Sequence, residues 1–384
     1  MPERDYQICT RCVMDVSDPE IRFDDEGICN HCHNFDERVA SEMYDEATRA
    51  ERLEALVEDI KREGRGKDYD CVVGVSGGVD STMVAYLARK WGLRPLAVHM
   101  DNGWNSELAV ANVQRALDKL DIDLITLVVD WAEFQDLHLS FLRASVSNSE
   151  VPTDHAILAI LCRTASERGI KYILSGSNIA TEGVFPESWH RKYEAHDWKY
   201  IRSVHRRFGS GVKLRTFPHF RPIQFINWIF LKGIKFVPVL NYTNYVKSDA
   251  IRVLEEELGW RNYGGKHYES IYTRFFQAYI LPTKFKIDKR RAHLSTLVCS
   301  GQMSRDEAVE QLRVEPIDAA GMEEDGEYVI KKLGITAEDF AGIMATPIRG
   351  PEDFAASEWV FYRMPFLVDF VKRMATGREG EAGN

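Results

Sequence analysis

Residues 72–82 read VVGVSGGVDST, an apolar run that passes through a glycine pair into residues at helical spacing. A strand, a tight turn and a helix amino terminus in that order form a phosphate-binding site, because glycines let backbone N–H groups approach an anion and the helix end carries partial positive charge. Val75, Ser76, Gly77, Gly78, Ser81 and Thr82 are therefore the expected nucleotide-phosphate contacts. Asp80, in the first helical turn, is placed to hold a magnesium ion shared with the phosphates. No Gly-Lys-Ser/Thr closes the turn, and the three-glycine dinucleotide spacing is missing, which excludes both of those loops.

The second chemical constellation is Cys9-x-x-Cys12 and Cys29-x-x-Cys32, sixteen residues apart. Two such knuckles present four thiolates to one tetrahedral ion, and a full shell implies structural zinc rather than catalysis. A disulfide pair is the alternative, disfavoured in a reducing compartment. His31 and His33 are not needed for the shell.

The elements that position these residues follow from periodicity. Strands are predicted over 70–75, 95–100, 124–129 and 171–174, and helices over 81–91, 107–120 and 155–168. The alternation means an α/β fold, a doubly wound parallel sheet, with ligands beyond the carboxyl ends of the strands. That rule adds His99, Met100, Asp101, Ser175 and Gly176 to the nucleotide contacts, and Asn178 beside them. The predicted organisation is a zinc knuckle (1–36), a linker helix (37–66), the ATP domain (67–185), a basic and aromatic insertion (186–264), a mainly helical carboxyl-terminal region (265–374) and a disordered tail (375–384). Residues 223–240 read as a buried helix or a docking face, 302–312 as a helix, 315–353 as acidic and partly loop-like, and 359–374 as a closing helix.

The SGGVDS turn resembles the PP-loop of the ATP pyrophosphatases, which implies cleavage of ATP between its α and β phosphates and transfer of AMP to a substrate oxygen. A narrower resemblance comes from KHYESIYTRF at 266–275, LPTKFKIDKRRAHLS at 281–295, SGQMSR at 300–305 and GSNIATEG at 176–183. With the knuckles and the loop, these are similar to the bacterial N-acetyl sugar amidotransferases, the WbpG- and PseA-like family, over about residues 5–313. The resemblance implies conversion of an acetamido group on a surface-polysaccharide sugar, as in lipopolysaccharide O-antigen, into an acetamidino group. Lys286 departs from the family pattern, which has a small residue there.

That chemistry needs ATP, because an amide carbon is a poor electrophile. Cations should carry the developing phosphate charge, with Lys266, Arg274, Lys284, Lys289 and Arg290 as candidates; Asp80 and Glu182 are the expected catalytic carboxylates, Glu182 to orient the sugar or accept a proton from ammonia. A basic run at 191–221, interleaved with Trp198, Tyr200 and Phe208, suits a nucleotide sugar; Arg202, Arg206 and Arg215, with Asn178, Glu182, His267 and Glu269, are the expected sugar contacts. It would also suit single-stranded RNA.

Composition bounds the rest. The 384 residues carry a net charge of −10 and are 45% hydrophobic, which argues against a broad nucleic-acid surface. The polar start of the chain shows no secretory signal and 223–240 is too interrupted to span a membrane, so the expected location is cytoplasmic. Met1 precedes Pro2, and Cys71, Cys162 and Cys299 fall in patterns that favour burial, so no glutaminase nucleophile is evident. The chain is then expected to borrow ammonia; the family resemblance implies a separate glutaminase with an ammonia-conducting subunit, similar to the HisH and HisF pair, for which the apolar run at 225–239 is one docking place. The rivals are a tRNA sulfur transferase, which needs a further reactive cysteine pair, and an adaptor that binds ATP without turnover.

Overall fold

A computed structural model describes residues 5–190, 194–265 and 268–357. The expectations of a closing helix at 359–374 and a disordered tail lie outside these residues.

Five parallel strands form the sheet: β1 (Cys71–Gly74), β2 (Pro95–Asp101), β3 (Leu124–Val128), β4 (Tyr172–Ser175) and β5 (Lys235–Pro238), in the order β3-β2-β1-β4-β5. Cys71 faces Pro95 on one side and Tyr172 on the other, and Tyr172 faces Lys235. Strand order reverses between β1 and β4, so a crevice opens at their carboxyl ends, beside the glycine turn.

Alternation along β1 sets the two layers. Cys71, Val73 and Val75 pack with Val57, Val84, Ala88 and Val113, from helices Glu46–Glu63, Val79–Lys90 and Glu107–Leu120. Val72 points the other way, into Ala159, Ile160, Phe225 and Trp228 from helices Val151–Glu167 and Pro222–Ile226 and the π-helical turn Asn227–Leu231. Burial on both faces is why β1 reads as a continuous apolar run.

Several expectations need correction. The linker is two helices, Asn30–Glu42 and Glu46–Glu63, broken where Asp45 accepts the Thr48 N–H at 2.8 Å and starts the second. Residues 223–240 are not one helix: Gly233, at φ +65°, turns the chain, and residues 235–238 add the fifth strand to the sheet. The ATP sheet therefore extends into the segment read as an insertion. Phe225, Trp228, Ile229, Val237 and Val239 are buried in the chain's own core, so the run at 225–239 is not a docking face; Ile223 and Leu231 are the outward residues, 69% and 82% exposed.

Residues 315–353 are likewise more ordered than their acidity suggested. Asp318 and Thr336 cap helices Ala319–Leu333 and Ala337–Ala345, with Gly334 at φ +68° between them. Lys332 holds the first of these to the sheet, over the rings of Trp104, Trp131 and Tyr328 at 5.1–5.3 Å and bonded to the Gly103 carbonyl. Helix Trp131–Ala144, absent from the sequence reading, supplies the core under this cluster. Lys286, the departure from the family pattern, adopts φ +60°, the left-handed region where a glycine is unstrained. Among the described residues no helix is long and apolar enough to cross a membrane.

Two buried histidines, His138 and His155, and the half-buried His196 make the fold acid-sensitive. His138 accepts from Trp104 Nε1 at 3.0 Å, and His155 bridges the Ala195 carbonyl at 2.7 Å and the Phe220 N–H at 3.2 Å. Burial pushes His138 and His155 down to about 3, and His196 to about 4, from the ordinary 6.5. The folded imidazoles stay neutral while the unfolded ones protonate, so stability is full above pH 6.5 and falls as pH drops towards these values. Each histidine removes up to about 1.4 kcal/mol per pH unit in that window. The thermal unfolding midpoint at pH 5 should lie below that at pH 7.5; equal midpoints would contradict this account.

Candidate functional site

Gly77 adopts φ +89°, and a Cβ there would sit 2.8 Å from the Ala109 carbonyl and 2.9 Å from the Tyr263 hydroxyl. Only glycine fits the turn. Its carbonyl accepts from Trp260 Nε1 and from Tyr263 OH, both at 2.8 Å, which fixes the peptide plane leading into Gly78. Gly78 caps helix Val79–Lys90; its N–H meets Ser76 Oγ at 3.2 Å, and its carbonyl receives Thr82 Oγ1 at 2.8 Å. Ser76 and Ser81 hydroxyls lie 3.2 Å apart across the mouth of the turn. The loop is thus preorganised, with hydroxyls and a helix amino terminus converging on a phosphate-sized space.

Carboxylates surround this loop. Asp80 accepts from the buried Tyr245 hydroxyl. Burial and then the Asp80 charge, with a contribution from Glu182, push the Tyr245 phenol far above its usual range, so it remains a donor to Asp80. Asp80 holds this phenol directly, while Glu182, at the end of the short helix Ile179–Glu182, adds to its field. Gln302 stitches the same region, donating to the carbonyls of Ala180 at 3.4 Å and Tyr245 at 3.2 Å. Glu269, expected among sugar contacts, stands on the loop: its Oε1 is 3.5 Å from Ser76 Oγ and would be 2.9 Å from a Cβ on Gly78. Asp80 and Glu269 each bring a carboxylate to the loop or its flanking helix. The carboxylates alone do not form a cage, since the one tight cluster of ligand atoms among the described residues is the cysteine set.

The remaining strand-end residues brace the site. His99 donates Nδ1–H to the Val75 carbonyl at 2.7 Å and accepts from Asn105 at 3.1 Å, so it holds the loop's entry. Asp101 accepts the Gly103 N–H at 2.9 Å, and Met100 packs in the core. Gly176, after β4, approaches the Asp80 and Ser81 backbone so closely that a Cβ would lie 3.1 Å away. Ser175 turns the chain by accepting the Ser177 N–H at 3.1 Å. Asn178 is a buried cap that accepts the Thr181 N–H at 2.8 Å and donates to Gly176 and Thr181 at 3.0 Å, which leaves it a positioning residue for Glu182.

The basic motif residues go elsewhere. Arg274 forks onto Asp325 at 2.7 and 2.5 Å, Arg290 onto Asp288, and Lys284 donates to the carbonyls ending helix Ala337–Ala345. Lys289 lies over the Phe185 ring at 5.8 Å. Lys266 and His267 fall outside the described residues, between Tyr263 and Glu269, which both touch the loop. Arg202, Arg206 and Arg215 stand apart from the loop, on and after helix Trp198–Phe208. Sequence reasoning passed over Trp260, Tyr263 and Tyr245; the aromatic and glycine run at 260–265, directly before the motif block, was the available signal.

Cys9, Cys12, Cys29 and Cys32 are fully buried with all sulfurs within 4.8 Å of one another. Neighbouring Sγ–Sγ distances are 3.6–3.8 Å, which matches the edge of about 3.8 Å that four Zn–S bonds of about 2.3 Å impose on a tetrahedron. Backbone N–H groups of Cys12 and Cys29 point at Cys9 Sγ at 3.4 and 3.2 Å, as thiolate ligands require. The donor set fits structural zinc. His31 and His33 are engaged by Asp18 and Asp24 instead. Helix Lys289–Cys299 ties this knuckle to the active crevice: Arg291 pairs with Asp15 at 2.8 Å, Ser295 receives the Val13 N–H at 3.1 Å, and Thr296 receives the Val184 N–H at 3.0 Å.

Residues 269–365 match the C-terminal domain of WbpG-like LPS biosynthesis proteins, and residues 50–137 match NAD synthase. Among solved structures, an NMN synthetase from Francisella tularensis is similar at 15% identity and a TM-score of 0.27, over 54% of this chain and 95% of that one. No curated protein matches the chain.

The Gly77 clamp is testable. Losing both donors leaves a buried carbonyl unsatisfied, at about 1–3 kcal/mol, so a Trp260→Phe/Tyr263→Phe variant should bind ATP about tenfold more weakly or worse while its circular dichroism stays native. Unchanged ATP affinity by calorimetry would remove the clamp from the binding site. For the knuckle, stripping metal with a strong chelator should lower the unfolding midpoint, and zinc should restore it; an indifferent midpoint would dismiss the zinc assignment.

Proposed function

From the matches of residues 269–365 to the C-terminal domain of WbpG-like LPS biosynthesis proteins and of residues 50–137 to NAD synthase, we propose an ATP-dependent amidotransferase that converts an acetamido group of a bacterial surface-polysaccharide sugar into an acetamidino group. The observation that carries this reading is the junction of the two matched regions. The WbpG-like segment delivers Glu269 directly onto the ATP loop, so its chemistry and the nucleotide share one site.

In the proposed reaction the acetamido oxygen attacks the α-phosphorus, an O–P bond forms and the bond to the β-phosphate breaks. Pyrophosphate leaves, and the amide N–H proton is lost to give an O-adenylyl imidate. Ammonia then adds to the imidate carbon and AMP departs with its oxygen, leaving the amidine. The loop N–H groups and the Ser76 and Ser81 hydroxyls bind phosphate oxygens, and Asp80 with Glu269 would hold a magnesium ion, whose chemistry there would be to neutralise developing phosphate charge. Tyr245 keeps the Asp80 carboxylate in place, and Glu182 takes a proton from the attacking ammonia. Lys266 is the proposed cation clamp, as the basic motif residue nearest in sequence to Glu269. Ammonia comes from a separate glutaminase with a conducting subunit, a role supported by the deep burial of Cys71 and Cys162, which pushes both thiols up and leaves them inert.

Incubation with ATP, magnesium, ammonium and a panel of acetamido sugar nucleotides should release AMP and pyrophosphate and yield a sugar lighter by the difference between oxygen and an imino group. Asp80→Asn should lower the rate by about 100-fold or more. AMP release that depends instead on tRNA and a sulfur donor would overturn the reading in favour of thiolation.

A further inference from the structure

Helix Trp198–Phe208 is polarised along its length. Tyr200, Ile201 and Val204 are buried, while Lys199, Arg202 and Arg206, spaced three and four residues apart, line one open face. Beside that face lie two adjoining cavities of about 460 and 520 Å³, which share Trp198, Arg202, Arg206 and Arg221 in their walls. Arg207 and Lys213 add charge, one to each cavity, and among the described residues no carboxylate lines either one.

The acids described nearby are bonded to other donors, not to these guanidiniums. Asp197 caps the helix through the Lys199 and Tyr200 N–H groups at 2.9 and 3.1 Å, and Glu194 is buried against Asn148. Asp136 takes His205 and the Ser210 N–H at 2.9 and 2.7 Å. Glu133 is wrapped by the N–H groups of Arg215, Thr216 and Phe217 at 2.8–3.1 Å. Like charges on one helix face repel, and a cleft with low-dielectric walls concentrates their field. That arrangement in a chain of net charge −10 is matched by a small polyanion entering the cleft.

We infer that this cleft binds a nucleoside diphosphate, with the Arg202, Arg206 and Arg221 guanidiniums on its phosphates and Trp198 as the shared apolar wall. Planar guanidiniums pair bidentately with phosphate oxygens, and two joined cavities accommodate a two-part ligand better than a free phosphate. No residue of the loop at 75–78 lines the cleft, so it is a second anion site distinct from the loop. The proposed function identifies the diphosphate as the carrier of the sugar substrate, and in that identity alone the inference rests on it.

The experiment titrates UDP into the full chain already saturated with magnesium and α,β-methylene-ATP, so that the ATP loop is blocked. UDP should still bind, and Arg202→Glu/Arg206→Glu should weaken it at least tenfold while leaving affinity for the ATP analogue within twofold. Lys61→Glu/Arg62→Glu, an equal change of charge on the exposed face of another helix, should leave UDP affinity unchanged. UDP that is displaced by the ATP analogue, or that ignores the Arg202/Arg206 reversal, overturns the inference. So does a cleft that takes a ten-nucleotide single-stranded RNA but not UDP. Because the readout is binding, UDP held by Arg202 and Arg206 would support the cleft even if no sugar nucleotide released AMP, and in that case the amidotransferase reading alone would fail.

Discussion

The site depends on a short antiparallel join between two segments far apart in sequence. The loop after β2 meets residues 269–271, with the Ser106 N–H on the Glu269 carbonyl and the Ile271 N–H on the Trp104 carbonyl, each at 2.9 Å. Just upstream, Trp260 and Tyr263 grip the Gly77 carbonyl. Together these contacts convert a glycine turn, which by itself has many accessible conformations, into one fixed cradle. They also bring Glu269 to the mouth of the turn, so the carboxyl-terminal half completes the nucleotide site that the amino-terminal half begins.

A second chain of contacts reaches the same crevice from the cysteine knuckle. Arg305 donates to the Cys9 and Cys12 carbonyls, and helix Lys289–Cys299 carries Ser295 and Thr296 to Val13 and Val184. Arg38 meets the Gly183 carbonyl at 2.9 Å, and Phe35 packs so closely on Gly183 that a Cβ would lie 2.5 Å from its ring. The short helix Ile179–Glu182 is too small to hold its own position. The knuckle therefore acts as a buttress that fixes where Glu182 points, consistent with a metal serving structure rather than chemistry.

Charge is partitioned between two places. Carboxylates gather at the glycine loop, and arginines gather in the cleft beside helix Trp198–Phe208. Most basic residues of the carboxyl-terminal motif belong to neither group. Arg274, Lys284 and Arg290 hold helices and chain ends together, so motif membership and contact with ligand are separate properties.

Local patterns in the sequence were enough for four strands and three helices of the ATP domain, the glycine turn and the four-cysteine knuckle, though not for helix Trp131–Ala144. Each of these is set by short-range physics: apolar periodicity, the φ freedom of glycine, and ligand spacing. The fifth strand was not legible, because residues 235–238 are strand-like only when β4 lies beside them. Nor was the assignment of individual side chains. Glu269 joined the loop, Asn178 became a cap and Arg274 became half of an ion pair through contacts spanning up to 193 residues. Spacing along the chain determines which local structures can form, whereas the partner of a charged or polar group is chosen by burial and by whatever the tertiary fold places within hydrogen-bond reach.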